Sequence, residues 1–165
     1  MLQFVETSTN STAAHQLLTE YFAERAAGFP AEQGEYTTTF PSAEQFVPPA
    51  GQFVLAVQNT PGEVGDGELL GCGGIRRIQR ADAGLVRFEL KHLYLRPAAR
   101  GKGSGSQLVA ELEKRARELG AQELVLDTNA SLESAGQLYQ RAGYSSIPAY
   151  NANPNATNWY GKNLS

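Results

Sequence analysis

The sequence predicts a mixed α/β chain built on a mostly antiparallel sheet, and three observations predict it. Residues 53–58 and 69–78 are apolar segments separated by the turn-forming residues of 59–67, the pattern of an antiparallel hairpin. Between 85 and 127, a strand, a glycine turn, an amphipathic helix and a second strand follow one another as in a parallel βαβ unit. Within 85–95, Val86, Phe88 and Leu90 share one parity while Leu93 and Leu95 share the other. A β-bulge near Lys91 and His92 accounts for that one-residue slip, and bulges favour binding sites.

The elements follow in order. Leu2 to Glu6 reads as a first strand, and the run Thr7 to Thr12 offers several caps for a helix. Ala14, Leu17, Leu18, Tyr21 and Phe22 recur at helical spacing, so this helix lays one face on a sheet and ends near Gly28. From Gly28 to Gly51, Pro30, Gly34, Pro41, Pro48 and Pro49 break regular structure while Phe29, Tyr36, Phe40 and Phe46 keep it aromatic. This stretch is either a pocket wall or an irregular packing segment with a short helix near Ser42 to Phe46. Cys72 lies among glycines in the second hairpin strand and reads as a small core residue. Leu108, Val109, Leu112, Ala116 and Leu119 form the buried stripe of the crossover helix, which Gly120 ends. After the strand at 123–127, Ser131 is placed to cap a last helix carrying Ala135, Leu138, Tyr139 and Ala142 and closed by Gly143. Residues 144–150 and 157–163 read as final strands.

Bulk properties narrow the function. With 165 residues, 41% of them hydrophobic, the chain reads as one compact domain over 1–165 that needs no disulfide or metal for its core. One cysteine and two histidines supply no cluster with zinc spacing, so no metal is expected. A net charge of −3 argues against sequence-independent nucleic-acid binding. The N-terminal residues lack the basic segment and apolar run of a signal peptide, and no stretch approaches the roughly 20 apolar residues that span a bilayer. No membrane association and a cytoplasmic location are therefore expected.

The chemistry points to Arg100-Gly101-Lys102-Gly103-Ser104-Gly105, a glycine-and-base turn opening the crossover helix. Its glycines admit close backbone approach, and the first helical turn adds unpaired N–H donors and the positive end of the dipole. That combination predicts an anion site. It contains neither G-x-x-x-x-G-K-[ST] nor G-x-G-x-x-G, so it is not a Walker loop or a dinucleotide fingerprint.

Arg100-x-x-Gly103-x-Gly105 resembles the R/Q-x-x-G-x-G/A signature of the GNAT N-acetyltransferase superfamily, which binds acetyl-coenzyme A. The resemblance extends through the segment from Glu89 to Pro97 upstream and through Ala135-x-x-Leu138-Tyr139-x-x-x-Gly143-Tyr144 downstream. It implies a GNAT-like α+β fold, with a mixed, mostly antiparallel central sheet, a bulged and splayed strand and helices on both faces. It also implies that main-chain groups of Leu93, Tyr94 and Leu95 align the thioester and pantetheine arm. N–H groups of Arg100, Gly101, Lys102, Gly103, Ser104, Gly105 and Ser106 then cradle the pyrophosphate, with charge from Arg100 and Lys102 and a hydroxyl from Ser104 or Ser106. Glu89 matches a base that often acts through water, and Tyr139 matches the acid for the departing thiolate. Many relatives carry Asn where this chain has Leu132, so Asn129, Ser131 or Ser134 is left to contact pantetheine or cap the helix.

What the resemblance implies is an acetyl-CoA-dependent N-acetyltransferase acting on a small-molecule amine. Two alternatives stay open, a noncatalytic acetyl-CoA sensing domain and a protein or peptide N-acetyltransferase. Glu32, Glu35 and Glu44 either attract a cationic acceptor or are simply solvated charges. Trp159 and Tyr160 either complete the sheet or contribute to a homodimer surface.

Overall fold

The computed structural model describes residues 2–62, 67–79 and 84–165. Its elements are β1 (Leu2–Glu6), α1 (Thr12–Ala27), β2 (Gly51–Gln58), β3 (Glu68–Ile78), β4 (Arg87–Leu95), α2 (Ser104–Glu118), β5 (Glu123–Thr128), α3 (Glu133–Arg141), β6 (Ser145–Ser146) and β7 (Asn158–Asn163). Short 3-10 turns at Ala31–Gln33 and Ala43–Phe46 punctuate the long segment after α1. The strands form one seven-stranded sheet in the order β1-β2-β3-β4-β5-β7-β6, antiparallel except for the β4/β5 pair. The predicted mixed, mostly antiparallel sheet is therefore present, and β2 and β3 pair as the expected hairpin; residues 63–66 of its connection lie outside the described residues.

Helices cover both faces. Ser11 caps α1, its hydroxyl accepting from Ala14 N–H at 3.2 Å, and the helix stops at Gly28. Its stripe of Ala14, Leu17, Leu18 and Phe22 packs with Phe53, Leu55, Val57, Cys72 and Tyr94 on one face. On the other face, Leu108, Val109, Leu112 and Ala116 of α2 pack with Val54, Ile75, Phe88, Leu90, Leu124 and Leu126, and Tyr139 of α3 joins the same cluster. Burial of these side chains at about 1.5–3 kcal/mol each is the main stabilising term for both layers.

Two backbone features prepare the site. On β3, Cys72 and Gly74 pair with Tyr94 and Lys91, so β4 carries one extra residue there, and His92 takes the left-handed value φ = 57°. The bulge turns Leu93 and Leu95 onto the same core as Phe88 and Leu90, which explains the slip in apolar parity. The second feature is a splay. β4 and β5 pair only from Arg87 to Glu89 and from Glu123 to Val125, and among the described residues the β5-facing edge of β4 has no ladder partner from Leu90 to Leu95.

Near the C-terminus the chain departs from the sequence-based expectation twice. Ser131 does not cap α3: Leu132 holds that position without a side-chain hydrogen bond, and Ser131 N–H instead donates to Asn129 Oδ1 at 3.0 Å, closing a tight turn before the helix. The strand expected over 144–150 is confined to Ser145–Ser146, because β7 lies between β5 and β6 and the chain leaves the sheet after Ile147 N–H donates to Trp159 O.

Candidate active site

The glycine turn is built as an open ring of donors. Gly101 and Gly103 have φ of 77° and 82°, and a Cβ on either would meet nothing within 4 Å, so the space beside the backbone is free. Such backbone favours glycine, and Gly103 at the N-cap position of α2 leaves the helix with no side-chain cap. Among the described residues, the main-chain N–H groups from Gly101 to Ser106 donate to no protein acceptor; the first helical bond back to this turn runs from Gln107 N–H to Gly103 O at 3.2 Å. Consecutive free donors at the positive end of a helix make an anion cradle.

The side chains around the cradle divide. Arg100 is turned away: its guanidinium donates to Glu24 at 2.7 and 2.8 Å and to Leu95 O at 2.9 Å, so it pins the turn to α1. Lys102 is exposed and has no carboxylate partner among the described residues. Ser104 and Ser106 open α2, with Ser106 exposed, and Gly105 sits so close to α3 that a Cβ would reach Leu138 Cδ2 at 3.2 Å.

From the turn, the unpaired edge of β4 leads into a cavity of about 610 Å³ in the splay. Leu90 to Leu93 form its β4 wall and Asp127 and Thr128 its β5 wall, while Tyr21, Phe22 and Arg25 of α1, residues 36–42 and residues 153–156 close the outside. Leu93 lines this cavity, whereas the Tyr94 side chain is buried against α1, 6.0 Å from the Tyr21 ring, so that only the main chain of Tyr94 is available at the splayed edge. Asn155 holds the two outer segments together, accepting from Thr37 N–H at 2.9 Å and donating to Thr37 O at 2.7 Å.

Tyr139 reaches the cavity from α3, and its hydroxyl has no hydrogen-bond partner among the described residues. Burial, reinforced by the negative charge of Asp127, pushes its phenol well above the ordinary range and keeps it a proton donor. Glu89 is 1% exposed and does not line the cavity. Its Oε1 accepts from Arg76 Nε at 2.9 Å and Nη2 at 2.8 Å, and its Oε2 accepts from the Tyr150 hydroxyl at 2.5 Å. Lys91 Nζ lies 3.9 Å from Glu89 Oε2 and 3.5 Å from Asp127 Oδ1, bridging the two carboxylates across the splay. Neither Asn129 nor Ser134 lines the cavity: Asn129 is fully buried behind the wall, donating to Gln33 Oε1 at 2.7 Å and Asn155 O at 3.1 Å, and Ser134 is exposed on the first turn of α3.

An anion cradle, a bulged strand with a free edge and a cavity at the end of the splay are thus joined along one path. The profile of the acetyltransferase (GNAT) family matches residues 12–144. The chain belongs to the GNAT family. Among curated relatives, the GNAT chain is 35% identical over 82 residues to the uncharacterized N-acetyltransferase YjgM of Escherichia coli, covering 50% of this chain and 48% of that one. It is 41% identical over 56 residues to the aminoalkylphosphonate N-acetyltransferase of Salmonella typhimurium, covering 34% and 36%. The chain spans about half the length, or less, of these curated relatives. The fold matches a GNAT-family acetyltransferase of Staphylococcus aureus with a TM-score of 0.73 at 18% identity over the whole of both chains. It also matches a GNAT acetyltransferase of Elizabethkingia anophelis solved with acetyl-CoA bound, with a TM-score of 0.62 at 16% identity over 98% of this chain and 97% of that one.

Several residues at this candidate site carried no motif. Asp127 is signalled only by its place at the C-terminal end of the strand parallel to β4, where ligands collect in open sheets. Arg25, Arg76, Tyr150 and the asparagines of 151–155 come from separate parts of the chain and meet only in the fold. Glu32, Glu35 and Glu44 are exposed and none lines the cavity.

Proposed function

We propose that the protein transfers an acetyl group from acetyl-CoA to the amine of a small molecule. The observation that carries this reading is the placement of the free N–H groups of residues 101–106 after the unpaired edge of β4, whose residues Leu90 to Leu93 line the cavity bearing Tyr139. The residues fit the donor: the cradle suits a pyrophosphate, and the bare strand edge suits the amide-bearing pantetheine arm. Acetyl-CoA supplies a thioester-activated acetyl group when bound. A cavity of about 610 Å³ walled by Tyr36 and Phe40 suits a small acceptor, and the Salmonella relative is itself named for a small amine.

The chain's own groups divide the work. The main chain of Leu93 to Leu95 aligns the donor, and an N–H beside the bulge meets the negative charge that develops on the carbonyl oxygen. Tyr139, held protonated, donates to the departing sulfur. Glu89 accepts the amine proton indirectly, since Arg76 and Tyr150 enclose its carboxylate and separate it from the cavity. Lys102, Ser104 and Ser106 add charge and hydroxyls at the pyrophosphate, Arg100 holds the turn in place, and Asn129 ties the turn before α3 to the return segment through Ser131 N–H and Asn155 O. The deciding experiment incubates the protein with acetyl-CoA and a panel of amines and detects acetylated products by mass. Product formation from small amines supports the reading; formation only from peptide N-termini, or no product from any amine, overturns it.

A further inference from the structure

Among the described residues, three cationic side chains line the cavity, Arg25, Arg76 and Lys91, and their partners differ. Arg76 is bound to Glu89 at 2.8 Å, and Lys91 lies between Asp127 and Glu89 at 3.5 and 3.9 Å. Arg25, half-buried in the last turn of α1, pairs with no carboxylate among the described residues. Its guanidinium instead lies 5.2 Å from the centre of the Tyr36 ring. A guanidinium held this way is oriented by aromatic faces but keeps donors for a planar anion.

The opposite charge is close by. Among the described residues, Asp127 is the acidic residue that lines the cavity, and its carboxylate accepts from Lys91 at 3.5 Å, Asn151 at 2.7 Å and Asn153 at 3.2 Å. A carboxylate has about four acceptor positions, so one is left for a donor from the cavity. Arg25 and Asp127 line the same cavity, together with Tyr36 and Tyr139.

We propose that the acceptor is an amine that itself carries an anionic group, carboxylate, phosphonate or phosphate, with Arg25 holding the anion and Asp127 receiving the ammonium beside Tyr139. This rests on the acetyltransferase reading above. The pairing gives the acceptor a direction: its acidic end lies against α1 and its amine lies toward the reacting centre. It also makes the cavity selective, because a neutral amine leaves Arg25 without an anion and a diamine brings a second cation against it.

The test uses matched pairs of acceptors, β-alanine with β-alaninamide and O-phosphoethanolamine with 2-methoxyethylamine, on the wild-type protein, Arg25→Ala and Arg25→Lys. Wild type is expected to favour the anionic member in kcat/KM. Arg25→Ala is expected to raise KM for that member roughly 10- to 100-fold, as the loss of a charged hydrogen-bonded pair predicts, and to abolish the preference. Arg25→Lys is expected to restore part of it. KM for acetyl-CoA stays unchanged. Equal use of charged and neutral acceptors by wild type, or a rise confined to the acetyl-CoA KM, overturns the proposal. Calorimetric titration of the same four compounds onto the protein without acetyl-CoA separates the two readings. Saturable binding of anionic amines that Arg25→Ala removes, with no acetylation, leaves the anion site standing while the enzymatic reading falls; absence of any such binding overturns the anion site.

Discussion

The hydroxyl of Tyr150 donates to Glu89 Oε2 at 2.5 Å, joining the loop after β6 to the last paired residue of β4 before the splay. Glu89 is buried, and a buried acceptor that loses a donor incurs about 1–3 kcal/mol. Tyr150→Phe is expected to destabilise the fold by roughly that amount. Glu89→Gln is expected to lower kcat, chiefly in the rising limb of its pH profile. Urea unfolding and pH–rate profiles on an identified acceptor check both, and an unaltered profile in Glu89→Gln removes Glu89 from the proton path.

Tyr139 stands apart from this network, with a hydroxyl that opens on the cavity and a phenol raised by burial and then by Asp127. Tyr139→Phe keeps the ring packed 6.0 Å from Tyr144 and removes only the donor. A general acid contributes about 10²- to 10⁴-fold, so kcat is expected to fall by that order while KM for acetyl-CoA changes little. Rates equal to wild type across pH sink the assignment.

The donor cradle is testable without touching a charge. Ser106 lies in the first turn of α2, where proline is tolerated because its N–H has no helical partner. Ser106→Pro is expected to weaken acetyl-CoA binding about tenfold with little loss of stability, while Ser106→Ala, which keeps the N–H, binds nearly as wild type. Calorimetry on the three proteins reads the difference, and equal affinities place the pyrophosphate elsewhere.

Much of this layout was legible before any coordinates, and the reasons are local. Leu2–Glu6 alternates into a strand, Ser11 caps α1, and the parity change from Leu90 to Leu93 marks an extra residue that the sheet accommodates at His92. What was not legible depends on distant segments meeting. Ser131 has the chemistry of a cap, but Asn129 takes its N–H and the helix begins after Leu132. Residues 144–150 have the composition of a strand, but insertion of β7 beside β5 leaves only Ser145 and Ser146 an edge to pair with, and frees Tyr150 to reach Glu89. Arg25, Asp127 and Asn155 have no motif at all; they become a site because α1, β5 and the return segment converge on one opening.

Asn155 bounds that opening through its two-way bond with Thr37, at 2.9 and 2.7 Å. Asn155→Ala breaks both of these solvent-exposed hydrogen bonds, so the stability cost is expected to stay near 1 kcal/mol. The acceptor KM is expected to rise several-fold as the wall loosens, with KM for acetyl-CoA unchanged because the cradle lies at the other end of the path. A parallel rise in both constants shows instead that the segment supports the whole splay.

His92 gives the fold a dependence on pH. Burial, with the positive charges of Lys91 and Arg76, lowers its imidazole from the ordinary 6.5 to about 3, and the rings of Tyr21, Phe22 and Phe46 enclose it. Between these values the unfolded chain binds a proton that the folded chain does not. The resulting stability is therefore fully present above about pH 6.5, is lost progressively as pH falls below it, and stops changing near pH 3. His92→Asn removes the titrating group and suits the left-handed backbone, since asparagine adopts φ of 57° more readily than most residues. Urea midpoints taken from pH 7 to pH 4.5 are expected to fall further for wild type than for His92→Asn. Parallel curves for the two proteins show that His92 is protonated equally in the folded and unfolded states.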